Sequence, residues 1–440
     1  SPLYLLLHSA FSLIPKRLGW VGKNMGRSRN EISQRYDLLA KDLAGKGVRI
    51  DLIKRKVSDF AVEVPSWVFG AFGGGRFSGY LPPGAARDIY EKLDDVALVH
   101  KLTGATPRVS IHVGWDDPER AQFDKIQPDS FKKLKDYAAK QGLAIGTVNP
   151  TYFLEGTHFG SLAANDPKTR KRLVEHSIVS AEIASKYATG ILTLWLPDGT
   201  LYPGQMNLRA AERNLRDSLC QIYCRMPQSV RMLIEYKLFE PGTYHTVISD
   251  VSVASDLARG LGDRAGVIVD LGHHPHGVNV EHIIARLIEG KMPAGIHFNT
   301  RYAADDDHAV EPDIQLFRIF HELVTGDVIG NPDPSKDWVC VIDQCSALEN
   351  RMQAVLHSVD SLTVSYTKAL IVDESKLAKH QGENEIILAN RTLLDAFMTD
   401  VRPIIQMARL EKGLPADPIA AYIGSGYQQR IEAKRPGMKR

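Results

Sequence analysis

Seven side chains along this chain are donors suited to a divalent cation: Glu235 (IEYK), Asp270 and His273 (VDLGHH), His297 (HFN), Asp305 and Asp307 (DDD), and Asp343 (IDQ). Carboxylates dominate and only two imidazoles join them, a mixture that favours Mg²⁺, Mn²⁺ or Co²⁺ over a thiolate-rich structural zinc site. Mn²⁺ ranks first. Seven such ligands suffice for two cations if one carboxylate bridges. Asp305 and Asp307 are two apart, so on an extended loop their carboxylates share a side. Taken singly, each residue has a plainer reading. A buried acid at a strand end is usually a helix cap or an ion-pair partner, DDD alone reads as a solvated loop, and His274 or His276 as a surface histidine.

Lys237 lies two residues past Glu235 on the same strand face, so it is expected to point into the same cavity. There it would polarise a substrate oxygen or shuttle a proton; a salt bridge to one of the acids is the structural alternative. His112, in SIHVGW, reads either as a satisfied core histidine or as a catalytic one, and the catalytic reading is favoured beside a dimetal site.

The elements that must position these groups recur regularly. Eight short apolar or β-branched runs end in polar or aromatic residues: 61–67 (AVEVPSW), 109–115 (VSIHVGW), 143–149 (LAIGTVN), 191–197 (ILTLWLP), 231–237 (RMLIEYK), 266–273 (GVIVDLGH), 294–300 (AGIHFNT) and 339–344 (VCVIDQ). Between them lie stretches with apolar residues at helical spacing, such as 169–187, 209–224, 251–260 and 280–289. Alternation of this kind predicts βαβ units, and eight nearly continuous apolar strands match a closed (β/α)₈ TIM barrel. A doubly wound open sheet is the alternative. Because His112, Trp195, Glu235, Lys237, Asp270, His273, His297 and Asp343 sit within or at the ends of different strands, barrel closure would gather them on one face. From about residue 367 the pattern is helical with no further strand, which predicts a C-terminal helical arm. The expected organisation is an N-terminal extension (1–26), a barrel (27–366) and the arm (367–440), the last a plausible oligomerisation element.

Composition excludes the exotic classes. Hydrophobic residues make up 44% and charged residues 24% of 440, ordinary for a globular chain. Lysine plus arginine (54) nearly cancel aspartate plus glutamate (52), so no global field attracts nucleic acid. The basic stretch 434–440 reads as a solvated end. Residues 1–15 are apolar but too short to span a bilayer, and they lack a preceding basic region or a clear cleavage site, so they make a poor signal peptide. Cys220, Cys224, Cys340 and Cys345 are too few for a disulfide scaffold, and neither pair has CxxC spacing; a reducing cytoplasm is the simplest home.

At these residues the chain resembles the L-rhamnose isomerases of the xylose isomerase-like barrel superfamily, specifically the broad-specificity subtype of pseudomonads. The resemblance runs from about residue 27 to the end. It is carried by VPSW (64–67), GGGRF (73–77), KLDDVALV (92–99), SIHVGWD (110–116), LTLWLPDG (192–199), YPGQMN (202–207), VDLGHH (269–274), HFN (297–299), DDD, IDQ and the terminal SGY (425–427). Membership implies that Glu235, Asp270, His297 and Asp343 hold a structural cation, and that His273, Asp305, Asp307 and the shared Glu235 hold a catalytic one. Lys237 and His112 match the family's substrate-contacting pair, with Trp195 and Trp67 as apolar walls. Phe77 matches a phenylalanine that closes the pocket of a neighbouring subunit, which implies a homo-oligomer, a tetramer or a dimer.

The activity implied is a metal-assisted hydride shift interconverting an aldose and a ketose, L-rhamnose and L-rhamnulose first among them. Several departures fall near the pocket rim: Thr300 stands where Asp is expected, Cys345 and Ser346 where Ser-His is expected, and the loop after Asp307 is shorter. They bear on substrate preference. Rival readings are an isomerase or epimerase for another sugar such as D-allose, L-mannose or L-lyxose, a metal-dependent endonuclease on the same barrel type, and a barrel that binds sugar without catalysis. Near-neutral charge argues against the endonuclease.

Overall fold

A computed structural model describes residues 28–70, 80–240, 243–302, 305–331, 338–345 and 349–439, with backbone alone at 80, 301–302, 305–307 and 438–439. The expected extension 1–26 and the pocket-closing Phe77 lie outside the described residues.

Each of the eight apolar runs forms a strand: β1 (Glu63–Pro65), β2 (Arg108–His112), β3 (Ala144–Asn149), β4 (Ile191–Leu194), β5 (Arg231–Glu235), β6 (Ala265–Asp270), β7 (Ala294–Phe298) and β8 (Val339–Ile342). Neighbours in sequence are neighbours in space, every pairing is parallel, and β8 closes on β1. The open-sheet alternative is thereby excluded. The observed strands are shorter than the apolar runs because all but the run 143–149 continue past the strand's last residue into the loop that carries the chemistry.

Helices α3 (Ile89–Thr103), α4 (Phe131–Lys140), α5 (Pro167–Tyr187), α6 (Leu208–Arg225), α7 (Val251–Leu261), α8 (Val280–Glu289), α9 (Ile314–Thr325) and α10 (Arg351–Leu370) follow the strands in turn. Most begin on a side chain that accepts from the first-turn backbone: Asp88, Asp166, Asn207, Asp250, Asn279, Asp313 and Asn350. These caps satisfy amides that a helix start leaves open and fix where each mouth loop ends.

Strand alternation sends one set of side chains outward to the helices and the other into the barrel. Ile191, Leu233, Ile268, Val339 and Val341 form a separate buried cluster on strands β4, β5, β6 and β8. Two residues beyond Leu233, Ile268 and Val341, on the same face, come Glu235, Asp270 and Asp343. The first half of the barrel is polar instead. Thr147 donates to Ser110 at 2.6 Å and Asn149 to Ser110 at 3.0 Å. Buried Glu63 accepts from the Thr147 amide (2.8 Å) and Arg108 (3.1 Å). A Cβ at Gly146 would collide with that carboxylate, which is why glycine stands there.

A second hydrophobic cluster lies outside the barrel. Two helices before β1, α1 (Arg29–Gly45) and α2 (Ile50–Asp59), pack Leu43, Ile53 and Val57 with Leu377, Ile404 and Ile405 of the C-terminal region. That region is helical as expected: α11 (Glu374–Gly382), α12 (Ile386–Met398), α13 (Arg402–Glu411), α14 (Pro418–Ser425) and α15 (Tyr427–Lys434).

The chain end is not the solvated tail its charge suggested. Arg435 is 3% exposed; it pairs with Asp95 at 2.7 Å and Glu91 at 3.1 Å. Tyr427 donates to Asp95 at 2.5 Å, and Met438–Lys439 pairs with Tyr80–Leu81. A buried acid on α3 needs a cation, and the tail supplies it. Among the described residues no helix is long and apolar enough to cross a membrane.

Candidate metal centre

Four consecutive strands, β5 to β8, end at one place. Glu235 closes β5, Asp270 closes β6, His297 is the penultimate residue of β7, and Asp343 follows β8, its amide donating to Phe298 at 2.9 Å. One ligand atom from each of these four side chains lies within 4.8 Å of the other three. His297 Nδ1 faces Glu235 Oε1 at 3.2 Å, Asp343 Oδ2 at 3.2 Å and Asp270 Oδ2 at 3.7 Å.

Three carboxylates against one imidazole is an unstable balance in a buried site. Burial pushes the Asp270 carboxyl up to about 7, and the Glu235 and Asp343 charges add to it. At His297 burial opposes protonation, but Glu235 and Asp343 outweigh it and hold the imidazolium well above the usual histidine range. Burial also acts on Asp343, yet His297 and the Trp67 indole keep that carboxyl below its ordinary value. A divalent cation would neutralise this set directly. Buried His297 Nε2 also lacks a hydrogen-bond partner, and the oxygen-rich donors fit a hard cation. The residues therefore fit a metal ion.

The acids are held from outside. Asn299 donates to both Asp270 oxygens at 3.0 Å, and the Gly272 amide donates to Oδ1 at 2.8 Å. Trp67, in the turn after β1, donates Nε1–H to Asp343 Oδ1 at 3.0 Å. Such partners fix a ligand's orientation before the cation arrives.

His273 sits on the edge of this cluster, in the short turn Leu271–His273. Its Nδ1 lies 3.3 Å from Glu235 Oε1 and 3.0 Å from the Tyr236 carbonyl, and its Nε2 lies 3.8 Å from Asp270 Oδ1. Tyr236 in turn bonds His274 at 2.7 Å, both side chains buried. His274 is thus no surface histidine. Asp305 and Asp307 fall in the strand Asp305–His308, paired antiparallel with Thr300–Tyr302 and lying against the His273 turn. Their side chains lie outside the described residues. Thr300 Oγ1 accepts from the Glu311 amide at 2.9 Å.

The opposite wall is aromatic. His112 ends β2 with its ring 5.0 Å from Trp67 and 4.2 Å from Trp115. Burial pushes its imidazole down to about 4, so the ring is neutral at physiological pH, and its Nδ1 is buried without a partner. Trp195, just past β4, stacks on Phe153 at 4.5 Å. Lys237 Nζ lies 5.7 Å from the Trp195 ring and 2.6 Å from Glu240 Oε2. Lys237 thus pairs with Glu240, an acid outside the candidate ligand set, and not with one of the proposed ligands among the described residues.

Sequence reading missed Asp116, Lys92 and Ser66. Asp116 is buried and accepts from Lys92 Nζ (2.5 Å), Ser66 Oγ (2.5 Å) and the His112 amide (2.9 Å). Asp116 therefore ties Ser66 at the end of β1, beside Trp67, and Lys92 of α3 to the end of β2. Asp116 lies in a loop, where no periodicity marks an inward acid. Phe153, Asn299 and Tyr236 were missed too; only Asn299 carried a signal, two residues beyond His297 on the same face.

Compared with known proteins, residues 31–399 match the L-rhamnose isomerase (RhaA) family. The chain is 37% identical to a probable sugar isomerase of Rhizobium meliloti, covering 93% of this chain and 94% of that protein. It is 36% identical to one of Mesorhizobium japonicum, covering 95% and 96%. Identity to an L-rhamnose isomerase of Listeria monocytogenes is 24%, over 81% and 87%. Among solved structures, an L-ribulose 3-epimerase superposes with a TM-score of 0.50 at 11% identity, covering 74% of this chain and 98% of that one. That likeness concerns the barrel alone.

Proposed function

Because the chain belongs to the L-rhamnose isomerase family, whose members interconvert aldoses and ketoses, we propose that it isomerises L-rhamnose and L-rhamnulose with relaxed sugar specificity. The observation that carries this reading is the convergence of Glu235, Asp270, His297 and Asp343 at the ends of four consecutive strands.

Those four residues would hold one divalent cation. Asp305, Asp307 and His273, with Glu235 shared, would hold a second, Mn²⁺ ranking ahead of Co²⁺ and Mg²⁺. When bound, such cations supply Lewis-acid stabilisation of charge developing on the sugar oxygens. The reaction moves one hydrogen between C1 and C2 and one proton between O2 and O1.

The chain's own groups bind and orient. Neutral His112, with Nδ1 unpaired in a buried wall, would exchange a hydrogen bond with a sugar oxygen and help open the ring. The Lys237 ammonium, beside Trp195, would stabilise charge at the substrate oxygens. Trp67 and Trp195 would cover the sugar's carbon face and exclude water. Phe77 would reach a neighbouring subunit's pocket in a tetramer or dimer, with the C-terminal arm as a clasp. Thr300, Cys345 and Ser346 stand where selection among L-rhamnose, D-allose, L-mannose and L-lyxose would be set. Cys220 and Cys224 are free thiols, which suits a reducing cytoplasm.

A panel of aldoses, assayed on protein stripped with EDTA and reloaded with Mn²⁺, Co²⁺ or Mg²⁺, tests this. We expect turnover to vanish on stripping and return with cation, fastest on L-rhamnose. Turnover indifferent to chelation would refute the metal-dependent reading, and a stronger preference for another aldose would replace L-rhamnose.

A further inference from the structure

Two sulfur atoms take no part in the chemistry above. Helix α6 carries Cys220 and Cys224 one turn apart, both exposed, with their Sγ atoms 3.9 Å from each other. We propose that this pair is a separate metal site, taking a thiophilic divalent cation such as Zn²⁺ or Cd²⁺.

Helix geometry selects a bridging ion over a disulfide. Side chains four apart on an α-helix have Cβ atoms about 5–6 Å apart, whereas a disulfide needs about 3.5–4.5 Å between them. Closing the bond would unwind the turn. Two thiolates on one tetrahedral ion, each about 2.3 Å from the metal, stand about 3.8 Å apart. The observed separation already matches that spacing, so the ion can enter without backbone movement.

Solvent would complete the coordination of the two thiolates, since Asp217, one turn earlier, has its Oδ2 engaged by Gln221 Nε2 at 2.8 Å. The hydrogen bond to Cys224 raises the Cys220 thiol above its ordinary range. A cation must displace the Cys220 proton, so affinity rises with pH.

The two metal sites differ in chemistry and place. Oxygen-rich ligands at the barrel mouth suit hard cations, while paired thiolates suit soft ones. The cysteines lie near the end of α6, Cys224 seven residues before β5 starts at Arg231; Glu235 lies at the far end of β5. A full strand length separates them, so occupancy of one does not require the other.

The test uses the full-length reduced protein, kept in excess Mg²⁺ and titrated with Cd²⁺. Thiolate-to-cadmium charge-transfer absorption in the ultraviolet is followed, and retained cadmium is counted after desalting. We expect one equivalent with the thiolate band in the unaltered protein, and loss of both in Cys220→Ser and in Cys224→Ser. Both replacements are on the surface and should leave circular dichroism and sugar turnover unchanged. No band in the unaltered protein, a band that survives both substitutions, a band abolished by Cys345→Ser instead, or a 220–224 disulfide recovered from the folded protein would each overturn the proposal.

Discussion

Trp67 donates its indole N–H to Asp343 across the seam where the barrel closes, 3.0 Å from nitrogen to Oδ1. The first strand's turn thus orients an acid from the eighth strand's end. Trp67→Phe keeps the aromatic wall but removes the donor. We expect it to weaken binding of Mn²⁺ by about 10–100-fold, read by calorimetric titration of the stripped protein. An unchanged dissociation constant would reduce Trp67 to a wall for the sugar.

Asp116 and Lys92 form a buried pair, their side chains 0% and 10% exposed. Asp116→Asn leaves the Lys92 ammonium without its counter-charge and should cost about 3–5 kcal/mol of stability. Lys92→Met combined with Asp116→Asn should recover most of that loss, because no uncompensated charge stays buried. Urea unfolding of the single and double variants gives the coupling; additive effects would show that the pair does not act as a unit.

His176 gives a signed dependence on pH. Its Nε2 accepts from the Thr151 amide at 2.9 Å, which requires an unprotonated nitrogen, and burial pushes its imidazole down to about 3. The unfolded chain takes up this proton near pH 6.5, the folded one only near pH 3. Stability from this group is therefore present above about 6.5 and is lost as pH falls through that window, by about 1.4 kcal/mol per pH unit. His176→Gln keeps an acceptor that does not titrate, so the acid-side slope of unfolding free energy should flatten by one proton. Equal slopes for the two proteins would contradict the assignment.

Arg435 anchors the chain end on Asp95, whose carboxyl burial pushes up to about 6 despite the guanidinium. Arg435→Ala strands that acid and should destabilise the fold by about 3–5 kcal/mol, seen as a lower urea midpoint. Adding Asp95→Asn should restore part of it. If Arg435→Ala melts like the unaltered protein, the tail is after all dispensable.

Much of this was legible before any coordinates. Nearly continuous apolar runs of the length of buried strands, separated by helical patterning, suffice to define eight βα units, because burial on both faces leaves little choice of residue. Glu235, Asp270, His297 and Asp343 were legible because each is a metal-ligating residue type at or near the end of its own apolar run, and motif order pointed to the isomerase family. Their convergence within 4.8 Å was decided by closure, since only β8 pairing with β1 brings four ladder ends round one axis. Tertiary structure alone also decided which groups stand behind the ligands. Trp67 reaches Asp343, and Asp116 reaches Lys92, across sequence separations of 276 and 24 residues. Hydrogen bonds of that kind depend on direction and local dielectric, neither of which a residue's type or its neighbours in sequence record. The same reason explains the misread tail: 434–440 has the composition of a solvated end, and only the fold shows the buried acid that draws Arg435 inward.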